Sequence, residues 1–166
     1  MPATKDEFLN RLAALGLEHR TVAHPPVFTV EEAKATRDAL PGAHTKNLFL
    51  KDRGGALVLA VVDADRKVAL NAFAKHLGLS RFSFGSPELL MEVLGVTPGA
   101  VTAFAVMNDE ARRVRVVLDA DLLKASLVNG HPLVNDHTTA MTPAALLAFL
   151  KACGHEPEIV DFERVA

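Results

Sequence analysis

The run "HTKNLFLKDRGGALVLAVV", residues 44–62, restricts the fold more than any other part of the chain. Two runs of strand-forming residues flank Asp52-Arg53-Gly54-Gly55, whose paired glycines suit a tight reversal. The spacing predicts an antiparallel hairpin.

Helix and strand signals surround it. "TKDEFLNRLAALG" opens with a capping box, Thr4 and Glu7; Phe8, Leu12 and Leu15 then share one face, and Gly16 supplies a stop. "TVEEAKATRDAL" repeats the capping signature at Thr29 and Glu32 before the Pro41-Gly42 turn. "LNAFAKHLG", "SPELLMEVLG" with Ser86 as cap and Pro87 in the first turn, and "TPAALLAFLKACG" capped by Thr142 predict three more helices. "EHRTVAH" reads as a strand ended by Pro25-Pro26. "AVTAFAVM", "RVRVVLD", "ASLVNG", "HTTAMT" and "EPEIVDF" complete the expected strands. Strands outnumber helices and often follow one another directly. The expected fold is therefore α/β of the α+β type: a mixed, largely antiparallel sheet, curled toward a barrel and surrounded by helices.

No repeat, low-complexity tract or linker interrupts residues 1–166, and 49% hydrophobic content supports a single domain with a substantial core. No glycine-rich dinucleotide loop or P-loop is present, so no nucleotide cofactor is expected. A formal charge of −2 gives no global pull on nucleic acid, and without a recognition-helix motif DNA is not an expected partner. RNA contact would need a local basic patch, for which Lys46, Lys51 and Arg53 are candidates, though hairpin-tip charges are ordinarily just solvated. With tryptophan and tyrosine absent, base stacking would fall to the nine phenylalanines. The lone Cys153 ends an apolar helix, which suits an inert thiol and a reducing compartment. "MPATKDEFLNRLAALG" carries charges where a signal peptide needs an apolar run, and no segment reaches membrane-spanning length. A cytoplasmic location, away from membranes, is expected.

Chemistry concentrates in "SLVNGHPLVNDHTTAM", residues 126–141. His131, Asp136 and His137 are metal-ligand types, but no CxxC pair or HExxH helix accompanies them and the other histidines are scattered; no metal is expected. A Ser-His-Asp hydrolase would need a G-x-S-x-G elbow, whereas Ser83 and Ser126 read as strand and turn residues. What remains is a loop. Gly130 would let successive backbone N–H groups approach a bound carbonyl, with Pro132 fixing the exit. Such donors would stabilise the oxyanion formed when water attacks an ester. His131 would shuttle a proton or hold the loop, and the bland alternative is a structural turn. Lys46 and Asn47, at the start of the hairpin, offer a cation beside an amide, a set suited to phosphate and an amino or hydroxyl group on one ligand.

Together "AHPPVFTVEEA", "HTKNLFLKDRGGALVLAVV", "GSPELLMEVLGVTPGAVTAFAV" and "LVNGHPLVNDHTTAM" resemble the YbaK/prolyl-tRNA synthetase editing-domain family, above all its free-standing ProX-type members. The resemblance runs nearly end to end. It implies hydrolysis of mischarged tRNA(Pro), chiefly Ala-tRNA(Pro), in trans, with the tRNA acceptor end and prolyl-tRNA synthetase as partners. Lys46 matches the lysine that holds the terminal nucleotide, Asn47 lies beside it, and Gly130, His131 and Pro132 match the loop closing over the aminoacyl carbonyl. It further implies that no protein nucleophile takes part and that the substrate's ribose hydroxyl helps orient the water. Cys-tRNA(Pro) deacylation and a non-catalytic module that docks tRNA or a synthetase are the alternatives.

Such an enzyme has a physical reason to exist. A pocket built for proline rejects alanine weakly, because missing methylenes are worth only about 1–3 kcal/mol. A second site that admits alanine and excludes proline removes the error. Its tight apolar wall is expected in "PPVFTVEEA", with Phe28 and Val30 contributing unless both belong to the core.

Overall fold

The computed structural model describes residues 1–26 and 30–165; Phe28 and Thr29 lie outside them, and so does the side chain of Val30. The capping box expected at Thr29 falls there too.

The hairpin forms as its sequence predicts. β2 (Ala43–Lys51) and β3 (Leu57–Asp63) pair antiparallel from Thr45↔Asp63 to Lys51↔Leu57. Asp52 ties the reversal: its carboxylate accepts from the Ala56 N–H (2.8 Å), the Ser80 N–H (3.2 Å) and the Ser80 hydroxyl (3.0 Å). Gly55, at φ +90°, adopts the left-handed backbone this turn demands.

β3 is the centre of the molecule because it is covered on both faces. Leu57, Leu59 and Val61 enter a larger core, where they meet α1 (Lys5–Ala14), α4 (Pro87–Leu94) and α5 (Pro143–Ala152). Val58, Ala60 and Val62 enter a smaller one with α3 (Leu70–His76), Phe82 and Phe162. Two-sided burial is why "ALVLAVV" carries no polar residue. Each Val or Leu so enclosed contributes about 1.5–3 kcal/mol.

The sheet grows outward from this pair. β5 (Val114–Asp119) runs parallel to β3, and β8 (Glu158–Val160) runs parallel to β5. On the other side β6 (Val128–Gly130) lies parallel to the start of β2, β7 (His137–Met141) is antiparallel to β6, and β1 (Arg20–Ala23) is antiparallel to β7. A two-residue β4 (Ser83–Phe84) pairs with the end of β2. The sheet is mixed and curls; β1 and β8 end its order, with no pairing between them among the described residues.

β2 carries the junction that opens the sheet. β3 occupies one edge of β2, so β6 and β4 must share the other. β6 meets it only at Ala43 and His44, and β4 only at Leu50 and Lys51. Between them, Thr45 to Leu48 face no strand on that edge among the described residues. The sheet forks there.

Capping signals hold where they are local. The Thr4–Glu7 box is complete, Ser86 accepts from the Leu89 N–H, and Thr142 accepts from the Ala145 N–H. "AVTAFAVM" differs from expectation: Pro98–Ala100 and Ala103–Asn108 form 3₁₀ turns instead of a strand. The Thr102 hydroxyl caps the second by accepting from the Phe104 N–H (3.3 Å), and Ala103 to Val106 are buried in the larger core. A short apolar run buried all round has no period that tells strand from helix.

Candidate functional site

The fork opens into a hollow of about 290 Å³. α2 (Val30–Ala39) walls one side through Thr36 and Arg37. His44, Thr45 and Lys46 of β2 line another, and Asn129, Gly130, His131 and Thr138 close it from β6 and β7. Lys46, Gly130 and His131, distant in sequence, therefore meet.

Strand alternation explains the lysine. His44, Lys46 and Leu48 leave one face of β2, and Leu48 and Leu50 pack on the smaller core. Lys46 stands on that face just past the end of this core, where the fork begins. No carboxylate pairs with it among the described residues. Asn47 leaves the opposite face and is not among the residues lining the hollow; its Oδ1 is buried without a hydrogen-bond partner among the described residues. The Thr45 hydroxyl donates to the Asn129 carbonyl across the fork (2.8 Å), replacing the missing backbone pairing. The Asn129 amide donates to the carbonyls of Pro41 and Ala43 (3.0 Å each), pinning the chain that enters β2.

Arg37 is a second cation that sequence reading missed. Its Nη1 donates to Asp65 at 2.8 Å, while its Nε is buried with no hydrogen-bond partner among the described residues. Helical spacing gave no hint that α2 would lay this side chain over β2.

His131 is mostly buried, and burial above all pushes its pKa below the ordinary value. Nearby His24 pushes it the same way, against the pull of the hydrogen bond to the His137 carbonyl. That bond (3.2 Å) places the ring proton on Nδ1, since a carbonyl only accepts, and leaves Nε2 of the neutral ring as a lone pair. The His24 and His131 ring centres lie 6.4 Å apart. His24 counted as scattered in the sequence. The register Ala23↔His137 of β1 on β7 brings it here.

Gly130 has a packing reason for its missing side chain. A Cβ would lie 3.0 Å from Phe104 Cε2 and 3.3 Å from Cζ. Pro132 is buried and does not line the hollow; the Leu133 N–H closes a tight turn onto the His131 carbonyl (2.9 Å), with Leu133 at φ +70°. His137 turns to Asp136 (2.7 Å), whose pKa that contact lowers. Among the described residues, no three His, Cys, Asp or Glu side chains gather as a metal site.

A neighbouring hollow of about 410 Å³ shares Asn129 and Thr138; Glu18, His19 and Arg20 line it together with apolar residues such as Leu40, Leu127 and Met141. It is larger, yet it holds neither Lys46 nor His131, the two residues that the smaller hollow brings together. Lys51 and Arg53 are exposed at the hairpin tip. Burial raises the pKa of the half-buried Cys153 thiol, which argues against a nucleophile. Among the described residues, no helix is long and apolar enough to cross a membrane.

Comparison with known proteins finds relatives of this chain in sequence and in fold. Residues 24–149 match the family described as the aminoacyl-tRNA editing domain. The chain is 39% identical over 160 residues to the prolyl-tRNA synthetase associated domain-containing protein 1 of Danio rerio, covering 95% of this chain and 85% of the relative. It is 34% identical over 158 residues to the prolyl-tRNA editing protein ProX of Acetoanaerobium sticklandii, covering 95% and 96%. The crystal structure of hypothetical protein APE2540 superposes with a TM-score of 0.74 at 21% identity, covering 95% of this chain and 98% of that one, a likeness of fold.

Proposed function

The chain belongs to the aminoacyl-tRNA editing domain family, of the YbaK/ProX type, and is an aminoacyl-tRNA deacylase; from that premise we propose that it clears mischarged tRNA(Pro), with Ala-tRNA(Pro) as its main substrate. One observation carries the reading: the ammonium of Lys46, without an ion-pair partner among the described residues, and a neutral imidazole, His131, line a single hollow on either side of the sheet's fork.

In this proposal Lys46 holds a phosphate of the terminal nucleotides, with the unpartnered Nε of Arg37 as a second donor. Asn47 leaves the other face of the strand, away from the hollow, and the proposal gives it no direct contact with the substrate. Water attacks the ester carbonyl carbon. A C–O bond forms, the carbonyl oxygen becomes an oxyanion, and the backbone N–H of His131, brought close by Gly130, receives it. Pro132 has no N–H, the Leu133 N–H is committed to the turn and Gly130 pairs with Thr139 in the β6–β7 ladder, which leaves His131 as the loop's donor. One such donor is worth about 2.7–4 kcal/mol, enough for large acceleration without a protein nucleophile. His131 Nε2 takes the proton of the water and returns it to the ribose oxygen as the ester C–O bond breaks. The products are the free amino acid and the intact tRNA. Prolyl-tRNA synthetase is proposed as the partner that supplies the mischarged tRNA.

The deciding experiment incubates the protein with Ala-, Cys- and Pro-tRNA(Pro) and follows release of the amino acid. Fast release of alanine and retention of proline is the expected outcome. Preferential release of cysteine would reassign the substrate, and release from none would leave a docking module as the better account.

A further inference from the structure

The "HPP" segment after β1 takes no part in the attack of water on the ester, yet it delivers His24 to the edge of the hollow. Both ring nitrogens of His24 are engaged: Nδ1 lies 2.9 Å from the Pro25 carbonyl oxygen and Nε2 lies 2.8 Å from the Thr138 hydroxyl. The carbonyl can only accept, so Nδ1 carries the proton. In the neutral ring Nε2 is then an acceptor, and the hydroxyl of Thr138 must donate to it. Its proton committed there, Thr138 Oγ1 keeps only lone pairs for anything else. Thr138 is itself 6% exposed and lines the hollow with Lys46 and His131. A threonine whose hydroxyl could rotate would offer either polarity. This one offers an acceptor.

We propose that Thr138, locked as an acceptor by His24, binds the α-ammonium group of the aminoacyl ester and so selects substrates with a free amino terminus. The inference rests on the deacylase reading and deepens it. Lys46 meets the anionic end of the ligand; an aminoacyl ester also carries a cation beside the reacting carbonyl, and that cation needs an acceptor that cannot turn into a donor. Thr138 touches the substrate, whereas His24 is a positioning residue that acts through it.

The test measures kcat and KM on Ala-tRNA(Pro) and on its N-acetylated form for the full chain and four variants: Thr138→Val, Thr138→Ser, His24→Ala and the double variant His24→Ala/Thr138→Val. Thr138→Val keeps the side-chain shape and is expected to raise KM about 10-fold or more, as loss of a hydrogen bond to a charged group does. Thr138→Ser, which keeps the hydroxyl, should recover most of the KM loss seen in Thr138→Val. The double variant should match Thr138→Val alone in KM, because the hydroxyl is the route by which His24 shapes binding; its separate electrostatic push on His131 would show in the pH–rate profile instead. Wild type should discriminate against the N-acetylated ester, and Thr138→Val should lose most of that discrimination. If His24→Ala fails to fold, by thermal melting, the valine and serine variants and the N-acetyl comparison still decide. An unchanged KM in Thr138→Val, or equal cleavage of the acetylated ester by wild type, overturns the inference while leaving the deacylase intact. Wild-type inactivity on every ester tested overturns both.

Discussion

The ring centres of His24 and His131 lie 6.4 Å apart, and each ring donates its Nδ1 proton to a main-chain carbonyl. Two imidazoles so placed resist carrying charge together, and burial already keeps His131 neutral. Its stabilising contribution is complete above the ordinary histidine value of 6.5 and is lost as pH falls through its lowered folded-state pKa. Deacylation should follow the same sign: kcat should fall along an acid limb centred below 6.5. A pH–rate profile of the wild type checks this, and an acid limb centred above 6.5 would contradict it.

Lys46→Ala should raise KM about 10-fold or more with a smaller change in kcat, since a phosphate contact binds ground state and transition state alike. The salt dependence of KM should become shallower by about one phosphate contact. Lys46→Arg should recover most of the loss. Arg37→Gln should show the same pattern more weakly, because Asp65 already takes one of its nitrogens. Steady-state kinetics at two ionic strengths separates these outcomes from simple misfolding.

Gly130→Ala should lose stability and activity together, because the added methyl meets the Phe104 ring at 3.0 Å. Overpacking of this kind costs about 1–3 kcal/mol. Adding Phe104→Leu makes room at the ring edge and should restore part of the deacylation rate. If the pair is no better than Gly130→Ala alone, the glycine serves something other than space for the ring.

Asp52 should govern the acid stability of the hairpin. The Ala56 N–H foremost, and the Ser80 and Gly54 contacts with it, hold its carboxyl below the usual range against a desolvation penalty. A depressed carboxylate contributes stability above its unfolded-state value and loses it as pH falls through the folded one. Asp52→Asn should therefore lower the thermal midpoint at neutral pH, and the gap to wild type should begin to close only as pH falls below the ordinary aspartate value of 3.8. A gap independent of pH would show that shape, not charge, holds the turn.

What could be read directly from the residues was local. Thr4, Ser86 and Thr142 announce their helices because a cap and its target are three residues apart. The hairpin announces itself because Asp52 and Gly55 serve a single turn. The 3₁₀ turns at Ala103–Asn108 escaped because burial on all sides erases periodicity. The site was legible in part: resemblance pointed to Lys46, Gly130 and His131, and these line one hollow. His24 was not legible, since its partner Thr138 is 114 positions away and only the pairing of β1 with β7 joins them. Arg37 escaped for the same reason, its position fixed by how α2 lies over the sheet.

The parting of β6 from β2 after His44 has an evolutionary corollary. A chamber framed by diverging peptide ladders owes its dimensions to main-chain geometry, so exchanging the side chains that face it need not collapse it. Point substitutions in such a frame can redirect which acyl group is accepted while the scaffold stays intact. Descendants of one ancestor would then differ in diet long before they differ in skeleton.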